Sequence, residues 1–242
     1  MTEKLFDEAK LIFLENFKRI NNLFCEAVLK SGRKVLDVTL MAATKTVSAE
    51  MIDFACENGI SAFGENRVQE FLSKLPVLKT TVPRHFIGTL QTNKVKNLVG
   101  KVDMIQSVDS LRLAKFISER SLLLGIKTDV LVEINIGNEE TKSGISHDHA
   151  LEFVYEAAML DGIHIRGLMC IPPFDIKLTE KIKNFEKMQK LFVDIRGKNV
   201  DNVNMDFLSM GMSDDFETAI LCGANIVRIG TALFGKRSFP SQ

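Results

Sequence analysis

Tryptophan is absent from this 242-residue chain, and tyrosine occurs once, at Tyr155. Tyrosine is a common acid–base group, so its scarcity narrows the proton-transfer chemistry open to the chain. Cysteine is sparse as well: Cys25, Cys56, Cys170 and Cys222 lie far apart, with no CxxC pair and no Cys-His cluster. That spacing argues against a zinc site and suits reduced thiols in a cytoplasmic protein. Neither sign of charge is in excess, with 31 Lys plus Arg against 31 Asp plus Glu. A nucleic-acid binder would carry a basic footprint, so that class is excluded as the main business of the chain. No run approaches the ~18 apolar residues of a membrane span. The opening MTEKLFDEAK mixes acids with bases and is not a secretory signal. Glycine and proline are spread thinly, which leaves no linker and no low-complexity segment. A globular intracellular chain is expected, long enough to bury a sizeable core from its 45% hydrophobic residues.

The first 32 residues carry Leu5, Ala9, Ile12, Phe13, Phe17, Ile20, Leu23, Phe24 and Ala27 at three- and four-residue steps. This spacing predicts one leading helix, closed by Gly32. Strands are then predicted over 35–43, 60–63, 85–87, 104–106, 130–136, 163–170, 205–208 and 226–229, each followed by a helical pattern. Ser48 is the expected N-cap of the first of these helices. Strict alternation implies a parallel sheet. Eight such units fit a closed (β/α)8 TIM barrel, whose typical length is ~250 residues. An open doubly wound sheet is the alternative, but no GxGxxG follows the first strand and no GxxxxGK[ST] occurs. The expected architecture is α/β: a single domain over 1–242, with a leading helix at 1–32 and a barrel at 35–235.

In such barrels the working residues sit at the C-terminal ends of the strands, and phosphate binds after the seventh and eighth. Lys45 follows the apolar run LMAA at the end of the first strand. A lysine in an apolar cavity becomes an amine nucleophile for carbonyls, although periodicity alone favours an exposed strand-end lysine. After the seventh strand come Ser209, Met210, Gly211, Met212 and Ser213, with Asp214 and Glu217 at capping-box spacing. Backbone N–H groups there form an anion site to which Ser209 or Ser213 can add a hydroxyl. Gly230 and Thr231 follow the eighth strand. Arg228 shares the strand face of Gly230 and points inward, where it needs an acceptor. Asn66 adds a polar group after the second strand, and Lys142 another cation after the fifth. His147 and His149 form an H-x-H pair without a third ligand, so no metal is expected. Cys170 reads as core packing, and Gln91, Asn93 and Lys94 as a weak second anion site.

The stretches MAATK, FGENRVQE, HFIGTLQTNK, VLVEINIGNEETKSGI, GLMCIPP and LSMGMSDDFETAILCGANIVRIGTALFG resemble the pyridoxal-phosphate homeostasis proteins. These are small single-domain relatives of alanine racemase, and the resemblance covers residues 35–235. It implies a fold-type-III barrel that binds pyridoxal 5′-phosphate, with Lys45 forming the Schiff base. By it, Ser209, Gly230 and Thr231 hold the phosphate, with Met210 helping by its backbone. Arg228 lies at the pyridine nitrogen and Asn66 near the ring. A donor-only arginine leaves that nitrogen unprotonated and weakens the ring as an electron sink. Three departures stand out: Arg84 replaces a usual tryptophan, Thr89 a usual histidine, and Val47 a second lysine. None touches the phosphate loops.

The resemblance thus implies a carrier that holds pyridoxal phosphate or delivers it to apo-enzymes, with little turnover and no assigned catalytic residue. The thiol pattern suits a cytoplasmic protein, and no heptad or second domain asks for more than a monomer. The alternative is a pyridoxal-phosphate-dependent amino-acid racemase, which needs a second base. Tyr155 falls on the helix after strand five, remote from the mouth, and His85 is the other candidate. A Schiff-base aldolase using Lys45 and the same phosphate loops is a third reading, one without a chromophore.

Overall fold

The computed structural model describes residues 3–137, 139, 143–173 and 175–235. Nine parallel strands appear among them: β1 (Thr39–Ala43), β2 (Ala62–Glu65), β3 (Arg84–Phe86), β4 (Met104–Val108), β5 (Thr128–Asn135), β6 (Ile145–Ser146), β7 (Ile163–Cys170), β8 (Val203–Ser209) and β9 (Ile226–Ile229). Eight of them close a barrel in the order β4-β3-β2-β1-β9-β8-β7-β5, with β5 returning to pair with β4. The two-residue β6 pairs with Ile134 and Asn135, beyond the last β4–β5 pair at Val132. The expected (β/α)8 barrel is therefore present, and β6 is an addition too short to carry a periodic signal.

The helices are α1 (Glu3–Lys30), α2 (Ala49–Glu57), α3 (Val68–Lys74), α4 (Val95–Leu98), α5 (Leu111–Leu123), α6 (Ala150–Ala158), α7 (Leu178–Arg196), α8 (Phe216–Leu221) and α9 (Thr231–Phe234). Ser48 caps α2 as expected, its hydroxyl accepting from Met51 N–H, and Ser110 caps α5 in the same way. The leading helix covers α8 and α9, where the ring of helices closes. Asn16 donates to Leu233 O at 3.1 Å, and Phe13 stacks on both Phe17 and Phe234. Beyond α1, Arg33 donates to Ile220 O at 2.6 Å and Ala224 O at 2.8 Å, satisfying carbonyls at the end of α8.

One expected boundary is corrected. The strand predicted over 35–43 begins only at Thr39, because Val35–Asp37 forms a 3-10 turn whose Leu36 is 97% exposed. A strand there would have had to bury that side chain on one face of the sheet.

Side-chain alternation divides the core in two. Outward-facing residues such as Leu40, Ala42, Phe63, Ile105 and Val132 join the helices in the main core. Inward, Met41, Ala62, Ile87 and Ile226 form one cluster and Met104, Leu131 and Met169 another, and Phe207 packs against both. Two residues further along four of these strands, the same face carries Gln106, Glu133, Ser209 and Arg228. The barrel interior is apolar below and polar towards the C-terminal mouth, which is where ligand chemistry belongs in this architecture.

Candidate functional site

At the end of β1, Thr44 turns outward and is fully buried. Its N–H donates to Gly64 O at 3.0 Å and its hydroxyl to Glu65 Oε1 at 2.7 Å. Alternation then turns Lys45 the other way, to the mouth, where it is half-buried. β9 lies beside β1 with Ala42 opposite Ile229, so Gly230 and Thr231 leave the barrel next to Lys45. A Cβ on Gly230 would stand 3.2 Å from Ala43 O, so a glycine here lets the two strand ends approach closely. Asn66 is half-buried after β2. Its carbonyl oxygen lies 2.1 Å from where a Cβ on Gly88 would be, so only glycine at position 88 lets Asn66 occupy this place.

The loop after β8 meets the loop after β9, where Ser213 Oγ accepts from Ala232 N–H at 3.3 Å. The capping box expected from Asp214 and Glu217 does not form. Asp215 is the N-cap of α8, and its carboxylate turns back to accept from Met212 N–H at 2.7 Å while pairing with Lys181 at 3.3 Å. That bond tightens the turn carrying Ser213.

Ser209 and Met210 lie below this rim, and their donors are engaged inside the protein. Met210 is fully buried, and its N–H donates to Ile226 O at 3.1 Å. Ser209 Oγ accepts from Arg228 NH1 at 2.6 Å and donates to Gln106 Oε1 at 2.7 Å. Ser209 and Met210, expected to hold a phosphate, thus already carry these bonds within the protein, while Ser213 of the same loop is half-buried nearer its end.

Arg228 points inward as expected, and its acceptors belong to the protein. Besides Ser209, NH2 donates to Cys170 O at 2.8 Å. The chain of bonds continues through Gln106, whose Nε2 stands 2.7 Å from His85 Nδ1. Every direction in it follows from the first donor. Arginine only donates, so Ser209 accepts and passes its single proton to Gln106 Oε1; Gln106 Nε2 then donates, and His85 Nδ1 must accept. Burial pushes the His85 pKa down to about 4, so the ring is neutral with its proton on Nε2. The relay crosses the barrel from β9 to β3 and fixes the guanidinium plane.

Gln106 and Glu133 were not singled out from the sequence. The signal that could have found them is a polar residue at an inward position of an otherwise apolar strand. Glu133 is 9% exposed, and burial, aided by Asp109, pushes its carboxyl up to about 7 while Arg228 pulls the other way. Cys170 is wholly buried in the main core, and burial raises its thiol to about 12, so it is packing. His147 and His149 bond to Asp148 and Ser146 in a short turn, and no metal-ligating group of three exists among the described residues. Lys142 lies outside the described residues. No helix among the described residues is long and apolar enough to cross a membrane. Tyr155 is 46% exposed on α6 in the outer ring, where the helical pattern placed it.

Comparison with known proteins matches residues 21–238 to the family described as "Alanine racemase, N-terminal domain". The "Pyridoxal phosphate homeostasis protein" of Aquifex aeolicus is 42% identical over 226 residues, covering 93% of this chain and 98% of that one. Among solved structures, one described as an unknown protein from Bifidobacterium adolescentis superposes with a TM-score of 0.87 at 34% identity, over 94% of this chain and 96% of its own. PipY of Synechococcus elongatus, solved with PLP bound, superposes with a TM-score of 0.75 at 31% identity, covering 82% of this chain and 93% of PipY. This chain belongs to the alanine racemase N-terminal domain family and, within it, to the pyridoxal phosphate homeostasis proteins.

Proposed function

We propose that this chain binds pyridoxal 5′-phosphate at the barrel mouth and holds or delivers it, with little turnover of its own. The observation that carries the reading is the register of β1 on β9, which sets Lys45 beside Gly230 and Thr231. An aldehyde-reactive amine and a hydroxyl-bearing phosphate loop thereby share one rim. Pyridoxal phosphate supplies an aldehyde that an amine captures with loss of water. The residues present fit that group: the close approach at Gly230 leaves the rim without a side chain in the way.

In this reading Lys45 Nζ is the covalent anchor. Ser213, Gly230 and Thr231 receive the phosphate, with the Ser213–Ala232 contact holding the two loops together. Arg228 faces the ring nitrogen and only donates, so it leaves that nitrogen without a proton. Burial lowers the guanidinium from its ordinary value, but arginine stays cationic in proteins. Asn66 stands beside the ring. The free thiols of Cys25, Cys56, Cys170 and Cys222 suit a cytoplasmic setting. A monomer that passes its cargo to apo-enzymes completes the proposal.

The weak electron sink and the positions of Tyr155 and His85 favour carriage over racemisation. Tyr155 sits on the outer ring, and His85 is neutral with Nδ1 already accepting. The test is absorbance of the purified chain titrated with pyridoxal phosphate, then borohydride reduction and peptide mapping. A reducible band that maps to Lys45 and is absent in Lys45→Ala is expected. A chain that gains no such band, or traps it on another lysine, overturns the reading.

A further inference from the structure

Lys74 reaches from the end of α3 to the base of the loop that carries Lys45. Its ammonium donates to Thr44 O at 3.0 Å, to Glu65 Oε1 at 2.6 Å and to Glu70 Oε1 at 2.7 Å. An ammonium has as many protons as there are acceptors here, so the group is fully used. Glu65 is wholly buried and Lys74 is 8% exposed. Glu65 Oε1 also accepts from the Thr44 hydroxyl, and Glu70 Oε1 also accepts from Thr46 N–H. Both residues flanking Lys45 are thus gripped by one ion cluster, Thr44 by hydroxyl and carbonyl, Thr46 by its amide.

The grip is matched by strain. Thr46 has φ 67°, a left-handed conformation that is unfavourable for a β-branched residue. A buried ion cluster is poor value for stability alone, because desolvation opposes the attraction between its charges. Burial pushes the Glu65 carboxyl above its ordinary range and Lys74 pulls it back. What the cluster does achieve is a fixed backbone on both sides of Lys45.

We infer that Lys74, with Glu65 and Glu70, positions Lys45: the cluster holds residues 44–46 in a strained turn that aims the lysine amine across the mouth. The inference rests on the reading of Lys45 as the aldehyde-capturing amine. Glu65, Glu70 and Lys74 touch neither the proposed ligand nor the reacting atoms, so they are positioning residues.

The experiment uses the full chain with pyridoxal phosphate as probe and two readouts: the rate of the borohydride-trapped adduct at Lys45, and hydrogen exchange at the Thr46 amide. Glu70→Ala removes the amide's acceptor at a half-exposed position, where folding survives. Adduct formation slows and Thr46 exchange quickens, each by at least about tenfold, while competition by inorganic phosphate is unchanged. Glu70→Gln keeps an acceptor oxygen and recovers most of both. The double variant Lys74→Met/Glu65→Gln removes the buried ion pair, leaving only the partly exposed Glu70 carboxylate, and shows the same two effects. A Glu70→Ala chain that traps the adduct as fast as the wild type overturns the inference, whatever happens to the Thr46 amide. A wild-type chain that traps nothing at Lys45 overturns the reading of Lys45 first, and that outcome is seen before any variant is made.

Discussion

Arg228 and Ser209 face each other inside the barrel, the guanidinium NH1 donating to the serine hydroxyl at 2.6 Å. The bond gives the two serines of this loop different expected mutant phenotypes. Removing the Ser209 hydroxyl strands a buried arginine donor and leaves Gln106 Oε1 without its partner. Ser209→Ala should therefore lower stability by roughly 2–4 kcal/mol in urea denaturation. Ser213→Ala, at the rim, should stay within ~1 kcal/mol of the wild type while weakening binding of the phosphate by roughly tenfold. The opposite pattern, a stable Ser209→Ala with lost phosphate affinity, would assign the phosphate to Ser209.

Glu133 gives a pH signature with a definite sign. Its carboxyl is held at about 7 in the fold, against an ordinary value of 4.5. Between those values the unfolded chain has released the proton and the folded chain still binds it, so this group lowers stability as pH rises from 4.5 to 7. His85, depressed from 6.5 to about 4, acts in the opposite sense: the unfolded chain binds the proton first, and stability falls as pH drops below 6.5. The two slopes offset each other over their shared range. In Glu133→Gln the His85 slope stands alone. The variant should gain on the wild type by up to ~1.4 kcal/mol per pH unit across the Glu133 window, reaching ~3 kcal/mol at pH 8. Urea midpoints from pH 4 to 8 measure the difference, and parallel profiles would show that Glu133 titrates normally.

Much of this barrel was legible because its strands are apolar on both faces and its helices are separated by glycine or capped by serine. The strands at Ile163–Cys170 and Ile226–Ile229 match their predicted spans residue for residue. The misreading at Val35 has a simple cause: the apolar run MAA is preceded by Val35 and Leu36, and composition alone cannot show that Leu36 faces water. Lys45, Asn66, Gly230 and Thr231 were legible as strand-end residues because chain order alone puts them there. The bonds of Ser209 and Met210 were not legible, since alternation shows which way a side chain points but not what it meets. Ser209 meets Gln106 across 103 residues of sequence, and Gln106 meets His85 across 21. No local pattern carries bonds of that kind.

Cys170 should be chemically silent in the folded chain. Its side chain is fully buried and its thiol is raised to about 12, so almost no thiolate exists at neutral pH. Cys25, Cys56 and Cys222 are half-buried. Iodoacetamide at pH 8, read by mass spectrometry, should modify these three slowly and leave Cys170 untouched until denaturant is added. Labelling of Cys170 in the native chain would show that the sixth barrel strand opens to solvent.

Tyr155 and His85 bear on turnover. Two-base racemisation needs a proton-transfer group on each face of the substrate α-carbon. On the proposed reading Lys45 is the group on one face. Tyr155 is 46% exposed on the outer ring, and His85 is 8% exposed, with Nδ1 accepting from Gln106. Protonating His85 at Nδ1 would break that bond and bury a cation in the relay that orients Arg228. Incubation with an L-amino acid and pyridoxal phosphate in deuterated water should therefore yield no D-enantiomer by chiral chromatography. Any slow α-deuteration should retain the L configuration, at a rate that Tyr155→Phe leaves within about twofold. D-enantiomer formed by the wild type and lost in Tyr155→Phe or His85→Gln would identify a working second base and turn the carrier into a catalyst.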